Sequence, residues 1–159
     1  MRRVLARFED VVCIIALAIM TVLTFTNVIA RYVFSASFSF SEEITTYLFV
    51  LLSLIGSAVA ARRKAHLGFT ALIDMAPPKV RREFSLISFG LATVFSAALF
   101  YYGLQMTLSQ MHRGQITAGL QWPEWIFGSF VPIGAFFITL EFLFLFLDAF
   151  RDNGEEVAK

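Results

Sequence analysis

A single carboxylate, Glu141, stands inside an apolar run of residues 125–147 that carries no other charge. An ionisable side chain in a membrane-length apolar run is costly, so it needs either a partner or a proton. Two roles fit it: a proton or cation site, or an ion pair with Arg62, Arg63 or a cationic residue of another subunit. No histidine or second carboxylate accompanies Glu141 in its run to form a relay, so the pairing role is favoured.

A second group of charges lies between the first two apolar runs, where Arg31 is followed by Ser39, Glu42 and Glu43. Ser39 and Glu42 have the spacing of a capping box, and acids in the first turn of a helix complement the positive end of its dipole. Arg31 leaves the first run as Glu42 enters the second, so the order predicts an ion pair across a hairpin. These roles leave only Glu43 unassigned.

The other reactive side chains are too few or too scattered for catalysis. The one cysteine, Cys13, allows no internal disulfide and no CxxC pair. The two histidines, His66 and His112, are predicted on opposite sides of a membrane and cannot share one haem. No HExxH, GxSxG, P-loop or GxGxxG motif occurs, and a net charge of +1 offers no nucleic-acid footprint. We therefore expect no catalytic, cofactor-binding or metal-binding residue in this chain.

The elements that position these residues follow from hydropathy. Of the 159 residues, 58% are hydrophobic and 16% charged, and the mean hydropathy is +0.73. A helix crosses a hydrocarbon core in about 20 apolar residues, whereas a lone strand cannot satisfy its backbone in lipid. Suitable runs occur at residues 11–30, 44–61, 84–108 and 125–147. The sequence predicts an all-α integral membrane protein, one four-span domain over residues 1–159, with a bend at Pro132.

The basic residues predict the orientation of the spans, because lysine and arginine are retained on the cytoplasmic side. Of the 13 Lys and Arg residues, only Arg31 and Arg113 fall in the loops after the first and third runs. The other eleven precede the first run, lie between the second and third, or follow the fourth. Both termini are therefore predicted to be cytoplasmic.

Residues 66–76, between the second and third runs, have an amphipathic pattern. Phe69, Leu72, Ile73 and Ala76 recur at helical spacing. The pattern predicts an interfacial helix lying on the membrane surface, and a plain connecting loop is the alternative.

Small and polar side chains share one face on three of the runs, and such faces let membrane helices approach closely. In the second run this face includes Ser53, Gly56 and Ser57. Internal packing of a four-helix bundle accounts for most of these residues, and contact with another protein is the alternative.

The order of these motifs resembles the small membrane subunit of tripartite ATP-independent periplasmic (TRAP) transporters, the DctQ type. The resemblance is carried, in chain order, by Arg31-Tyr32-Val33-Phe34, Ser41-Glu42-Glu43, Gly56, Ala61-Arg62-Arg63, His66 and Pro132-Ile133-Gly134. The chain departs from the family at Phe40, where tryptophan is common, and at Thr70, near which an acidic residue is common.

The resemblance implies a non-catalytic subunit of the bacterial inner membrane that braces a large membrane subunit, M. That subunit would move an organic acid with sodium ions, and a soluble periplasmic binding protein would deliver the acid. Arg31, Glu42 and Glu43 would shape the outer end of the hairpin, and membrane lipids would surround the assembly.

Two other classes of protein remain open from the sequence. The first is a self-sufficient homo-oligomeric channel or exporter that uses Glu141. The second is an anchor subunit of a redox complex.

Overall fold

The computed structural model describes residues 2–35, 38–63 and 78–151, and nearly all of them are helical. The helices are α1 (Arg2–Phe34), α2 (Ser39–Arg62), α3 (Pro78–Arg113), α4 (Glu124–Gly128) and α5 (Phe130–Arg151). Within these ranges β pairing is limited to one isolated bridge between Ile116 and Pro123. The predicted interfacial helix, residues 66–76, lies outside the described residues.

Four stretches are long and apolar enough to cross a membrane: Leu5–Phe34, Ser39–Arg62, Glu83–Arg113 and Glu124–Phe150. Each predicted span lies inside one of them, which confirms an all-α, multi-pass membrane protein. The helices extend beyond the apolar runs, and polar side chains at a helix end can bond within the helix itself. At the end of α3, for example, Arg113 donates from Nη2 to Ser109 Oγ at 2.6 Å and from Nε to the Ser109 carbonyl at 3.3 Å.

The fourth span is interrupted at Ser129, three residues before Pro132, so that α4 and α5 are separate helices. Proline has no N–H to donate to the residue four positions earlier, and its ring crowds that residue's carbonyl. The residue four positions before Pro132 is Gly128, the last of α4. The disturbance predicted at Pro132 therefore appears one turn earlier in the chain.

The four long helices form an open row in the order α1, α2, α5, α3. The main contacts among the described residues join α1 to α2, α2 to α5, and α5 to α3. The α5 helix, between two neighbours, belongs to the span with the largest buried share, and α1 and α3 form the two ends. This row is a more open arrangement than a four-helix bundle in which every helix packs against two neighbours.

Small residues set the spacing at both seams of α5. A Cβ on Gly103 of α3 would lie 3.0 Å from Val131 Cγ1, and a Cβ on Gly134 would lie 2.5 Å from Leu54 Cβ of α2. Without an aqueous phase to drive association, such close backbone approach is how helices gain contact in lipid. The small-residue face of α3 is thus used for internal packing, with Ser96, Gly103 and Thr107 buried.

Candidate functional site

The hairpin between α1 and α2 carries the predicted ion pair. Arg31 Nη2 lies 3.2 Å from Glu42 Oε1. This pair is at the end of the row that also holds residues 113–124, and that end is here named the loop end. Both side chains are well exposed, so the pair contributes little to stability by itself. The prediction of an Arg31–Glu42 pair across the hairpin is confirmed.

The start of α2 is fixed by α1 and not by the predicted capping box. Phe38 is the residue before the first turn, and no side chain of α2 caps that turn. Instead Asn27 Oδ1 accepts a hydrogen bond from the Phe38 N–H at 2.9 Å, and Ser41 Oγ donates to the Leu23 carbonyl at 3.2 Å. The capping role predicted for Ser39 with Glu42 is wrong, since the Glu42 carboxylate is engaged by Arg31.

Glu43, the acid left unassigned by the sequence, holds the loop between α3 and α4. Its carboxylate accepts three backbone N–H bonds, from Ala118 at 3.1 Å, Gly119 at 3.0 Å and Leu120 at 2.9 Å. A carboxylate that satisfies several N–H groups in a turn is a strong, charge-assisted anchor. The loop end is therefore one unit in which α2 is bonded to a segment more than 70 residues away in the chain.

The loop that Glu43 binds is itself ordered by Thr117. The Thr117 N–H donates to the Trp122 carbonyl at 2.8 Å, and Thr117 Oγ1 accepts from the Trp122 N–H at 3.2 Å. Gly114 and Gln121 both have φ of 59°, the left-handed conformation that tight turns require. These bonds present the three N–H groups together on the side that meets α2.

The opposite end of the row is here named the terminal end. There, Arg62 of α2 connects α2 to α1. Its guanidinium donates to Glu9 Oε2 at 2.6 Å and to Asp10 Oδ1 at 2.9 Å, both on α1. Glu9 is fully buried and Arg62 is 20% exposed. Arg63 also reaches Asp10, at 3.3 Å, but its side chain is 64% exposed.

This charge cluster corrects the expectation for Arg62 and Arg63, which were proposed as partners of Glu141. Their hydrogen bonds go to Glu9 and Asp10 on α1. Glu141 is buried, at 4% exposure, and lies near Glu9. Glu141 is also not the only acid buried in a span, because the first candidate span begins at Leu5 and includes Glu9.

The small-residue face of α2 is not covered by any other helix among the described residues. Ser53 and Ser57 are exposed, and a Cβ added to Gly56 would meet no atom within 4 Å. The buried face of α2 is formed instead by Ile55, Ala58 and Ala61. Packing among the described residues therefore does not explain Ser53, Gly56 and Ser57, and their role toward a partner stays a prediction.

The described residues contain no group of three or more histidine, cysteine, aspartate or glutamate side chains that could hold a metal ion. The charged clusters at both ends are instead arranged as contacts between helices.

Residues 20–152 match the family model described as "Tripartite ATP-independent periplasmic transporters, DctQ component". The chain belongs to the DctQ family. This match includes the Arg31–Glu42 pair, the Glu43 anchor and the α2 face described above.

Curated relatives of this DctQ chain agree with the family match. A putative TRAP transporter small permease protein of Haemophilus influenzae is 39% identical over 82 residues, which span 49% of this chain and 51% of the relative. The ectoine TRAP transporter small permease protein TeaB of Halomonas elongata is 25% identical over 140 residues, or 88% and 72% of the two chains.

A third relative is much longer. The sialic acid TRAP transporter permease protein SiaT of Haemophilus influenzae is 24% identical over 117 residues, which are 74% of this chain but 19% of that protein. The DctQ family consists of transport components, so the expectation that this chain is not an enzyme is confirmed.

Proposed function

We propose that this DctQ chain is the non-catalytic small subunit of a TRAP transporter and braces the scaffold of a large membrane subunit, M. In this proposal M carries an organic acid with sodium ions, and a soluble periplasmic binding protein delivers the acid. The sodium ions bind M, and this chain needs no cofactor. The complex resides in the bacterial inner membrane.

One observation carries the proposal: the Ser53, Gly56 and Ser57 face of α2 is packed against nothing in the described chain. Small residues in a membrane helix gain energy only when another helix approaches closely. The open row supports the same reading, because each long helix has a side that no other described helix covers.

The longer relative SiaT supports a large partner. A segment similar to this chain makes up about a fifth of that permease protein, and the remainder of it is additional polypeptide. In this proposal, the M subunit is a separate protein that corresponds to the rest of SiaT, outside the segment similar to this chain.

The contacts of the charged residues favour a bracing role and do not favour a transport path within this chain. Arg62 forms ion pairs with Glu9 and Asp10, and the Glu43 carboxylate accepts hydrogen bonds from three backbone N–H groups. Groups tied into contacts between elements are not free to bind and release an ion during each cycle.

The proposed orientation places the terminal end in the cytoplasm and the loop end in the periplasm. It is supported by the eleven basic residues assigned to the cytoplasmic side by the sequence. Reporter fusions at the C-terminus and in the loop of residues 114–123 test it, and a C-terminal reporter active only in the periplasm would contradict it.

Co-purification tests the function. The chain, tagged at one terminus and expressed with its neighbouring open reading frames, should be recovered in a stoichiometric complex with a much larger membrane protein. The purified chain alone, in sealed vesicles, should transport nothing. Transport by the chain alone would overturn the proposal in favour of the homo-oligomeric channel or exporter that uses Glu141, and bound haem or quinone would favour a redox anchor.

A further inference from the structure

One side of the α1–α2 hairpin carries a depression toward each end, and this side is here named the groove. Two depressions of about 480 Å³ each lie in it. The one at the loop end is lined by residues that include Thr24, Asn27 and Thr45. The one at the terminal end is lined by residues that include Cys13 and Gly56.

Both depressions lie on the same side of the hairpin. With 3.6 residues per turn, Asp10, Cys13, Thr24 and Arg31 of α1 fall within about a third of the helix circumference. On α2 the lining residues of the two depressions share a face in the same way. The two depressions therefore open on the same side of the hairpin, one toward each end.

An ion pair marks each end of the groove. Arg31 meets Glu42 at the loop end, and Asp10 meets Arg63 at the terminal end. Along each helix the two charged residues are 21 positions apart, which is about 32 Å at 1.5 Å per residue. This length matches the hydrocarbon core of a bilayer, about 30 Å. The groove thus has the length of one membrane-spanning helix, with polar groups at both ends.

We propose that this groove is the seat of one transmembrane helix of the larger permease subunit, an inference that rests on the function proposed above. Gly56, at which an added Cβ meets no atom within 4 Å, lets a helix backbone come close. The helix from the partner carries small residues opposite Gly56 and hydrogen-bonding side chains at its two ends.

The lining of the groove favours a helix over an acyl chain. Thr24, Asn27 and Thr45 place hydroxyl and amide groups along the loop-end half. A hydrocarbon tail offers no hydrogen-bonding group to these side chains, whereas a helix with polar residues does. The longer relative SiaT supplies the class of partner, since the segment similar to this chain is followed or preceded there by further permease polypeptide.

The substitution Gly56→Leu tests the seat, because a Cβ added at this position meets no described atom within 4 Å and the larger side chain would occupy the path of an incoming helix. We expect the large subunit recovered with the tagged chain to fall on the order of tenfold, which corresponds to about 1.4 kcal/mol of binding free energy. The matched control is Ala97→Leu, on an exposed position of α3 outside the groove, and it should leave recovery unchanged. Both variants should retain the yield and thermal unfolding of the unmodified chain.

Wild-type recovery of the large subunit with Gly56→Leu would overturn the seat while leaving the proposed function intact. Failure of the unmodified chain to recover any large subunit would instead overturn the proposed function itself.

A photoreactive phenylalanine analogue at position 13 gives an independent test in the assembled complex. The seat predicts an adduct with the mass of this chain plus the large subunit. An adduct of two copies of this chain, or one with phospholipid alone, would contradict the proposal. The same analogue at position 97 should not give the adduct with the large subunit.

Discussion

Glu43 and Gly119 are 76 residues apart in the chain, yet the Gly119 N–H donates a 3.0 Å hydrogen bond to Glu43 Oε2. The neighbouring N–H groups of Ala118 and Leu120 join the same carboxylate. A single side chain therefore connects α2 to the loop that precedes α4. The adjacent acid, Glu42, makes a different contact, so two neighbouring glutamates at the start of one helix have separate roles.

The first prediction compares these two acids. Glu43→Ala removes the acceptor of three N–H bonds and should lower the free energy of unfolding by about 1–3 kcal/mol. Glu42→Ala breaks only an exposed ion pair and should cost less than about 1 kcal/mol. Thermal unfolding in detergent measures both, and amide exchange at residues 118–120 should accelerate only in Glu43→Ala. In the whole complex Glu43→Ala should also reduce yield or uptake. Equal effects of the two substitutions would refute the anchor.

The second prediction concerns the buried arginine at the terminal end. Arg62→Gln leaves the Glu9 carboxylate buried without its cation and should destabilise the chain by about 3–5 kcal/mol. Arg63→Gln, the matched control, removes an exposed partner of Asp10 and should cost less than about 1 kcal/mol. Adding Glu9→Gln to Arg62→Gln should restore most of the lost stability, since no uncompensated charge remains at position 9. A double variant no more stable than Arg62→Gln would count against this role of Glu9.

The third prediction concerns the seam between α2 and α5. An alanine methyl at Gly134 would lie 2.5 Å from Leu54 Cβ, a backbone-proximal atom that cannot move without shifting α2. Gly134→Ala should therefore cost about 1–3 kcal/mol of stability. At Gly90 the nearest atom is the Phe146 ring at 3.4 Å, so Gly90→Ala should be tolerated or stabilising through its helix propensity. A melting temperature that rises for both variants would show that the seam is looser than described.

The fourth prediction tests Glu141 as a structural residue. Glu141 is buried and takes part in a polar or electrostatic interaction. Glu141→Gln keeps the size of the side chain but replaces a carboxylate oxygen with an amide, so it should weaken that interaction and lower complex yield or stability, by about 1–3 kcal/mol. Uptake per assembled complex should keep its dependence on sodium concentration. The control is Asp148→Asn, an exposed acid on the same helix. Normal yield with abolished sodium coupling would assign Glu141 to the ion pathway instead.

The spans and the Arg31–Glu42 pair could be predicted because both depend on nearby residues. The length of an apolar run is a local property, and two helices joined by a short turn bring their adjoining ends together. The anchor role of Glu43 could not be predicted, because its bonds go to a loop more than 70 residues away. No local pattern marks such a contact.

The terminal-end cluster was missed because Glu9 and Asp10 ended the apolar run and were left outside the first span. A signal was available in the spacing. Once Arg31 is paired with Glu42, an antiparallel hairpin with equal rise on both helices also places Asp10 beside Arg63. The same reasoning does not reveal which face of α2 is internal, since small residues mark close approach without saying whether the neighbour belongs to the same chain.

The spatial order of the helices differs from their order in the sequence, since α5 lies between α2 and α3. During synthesis α3 enters the bilayer before α5 exists, at a stage when its main neighbour has not yet been made. The packing of the row is therefore completed only after α5 has been made, and a chain truncated before residue 124 leaves α3 without its main packing surface.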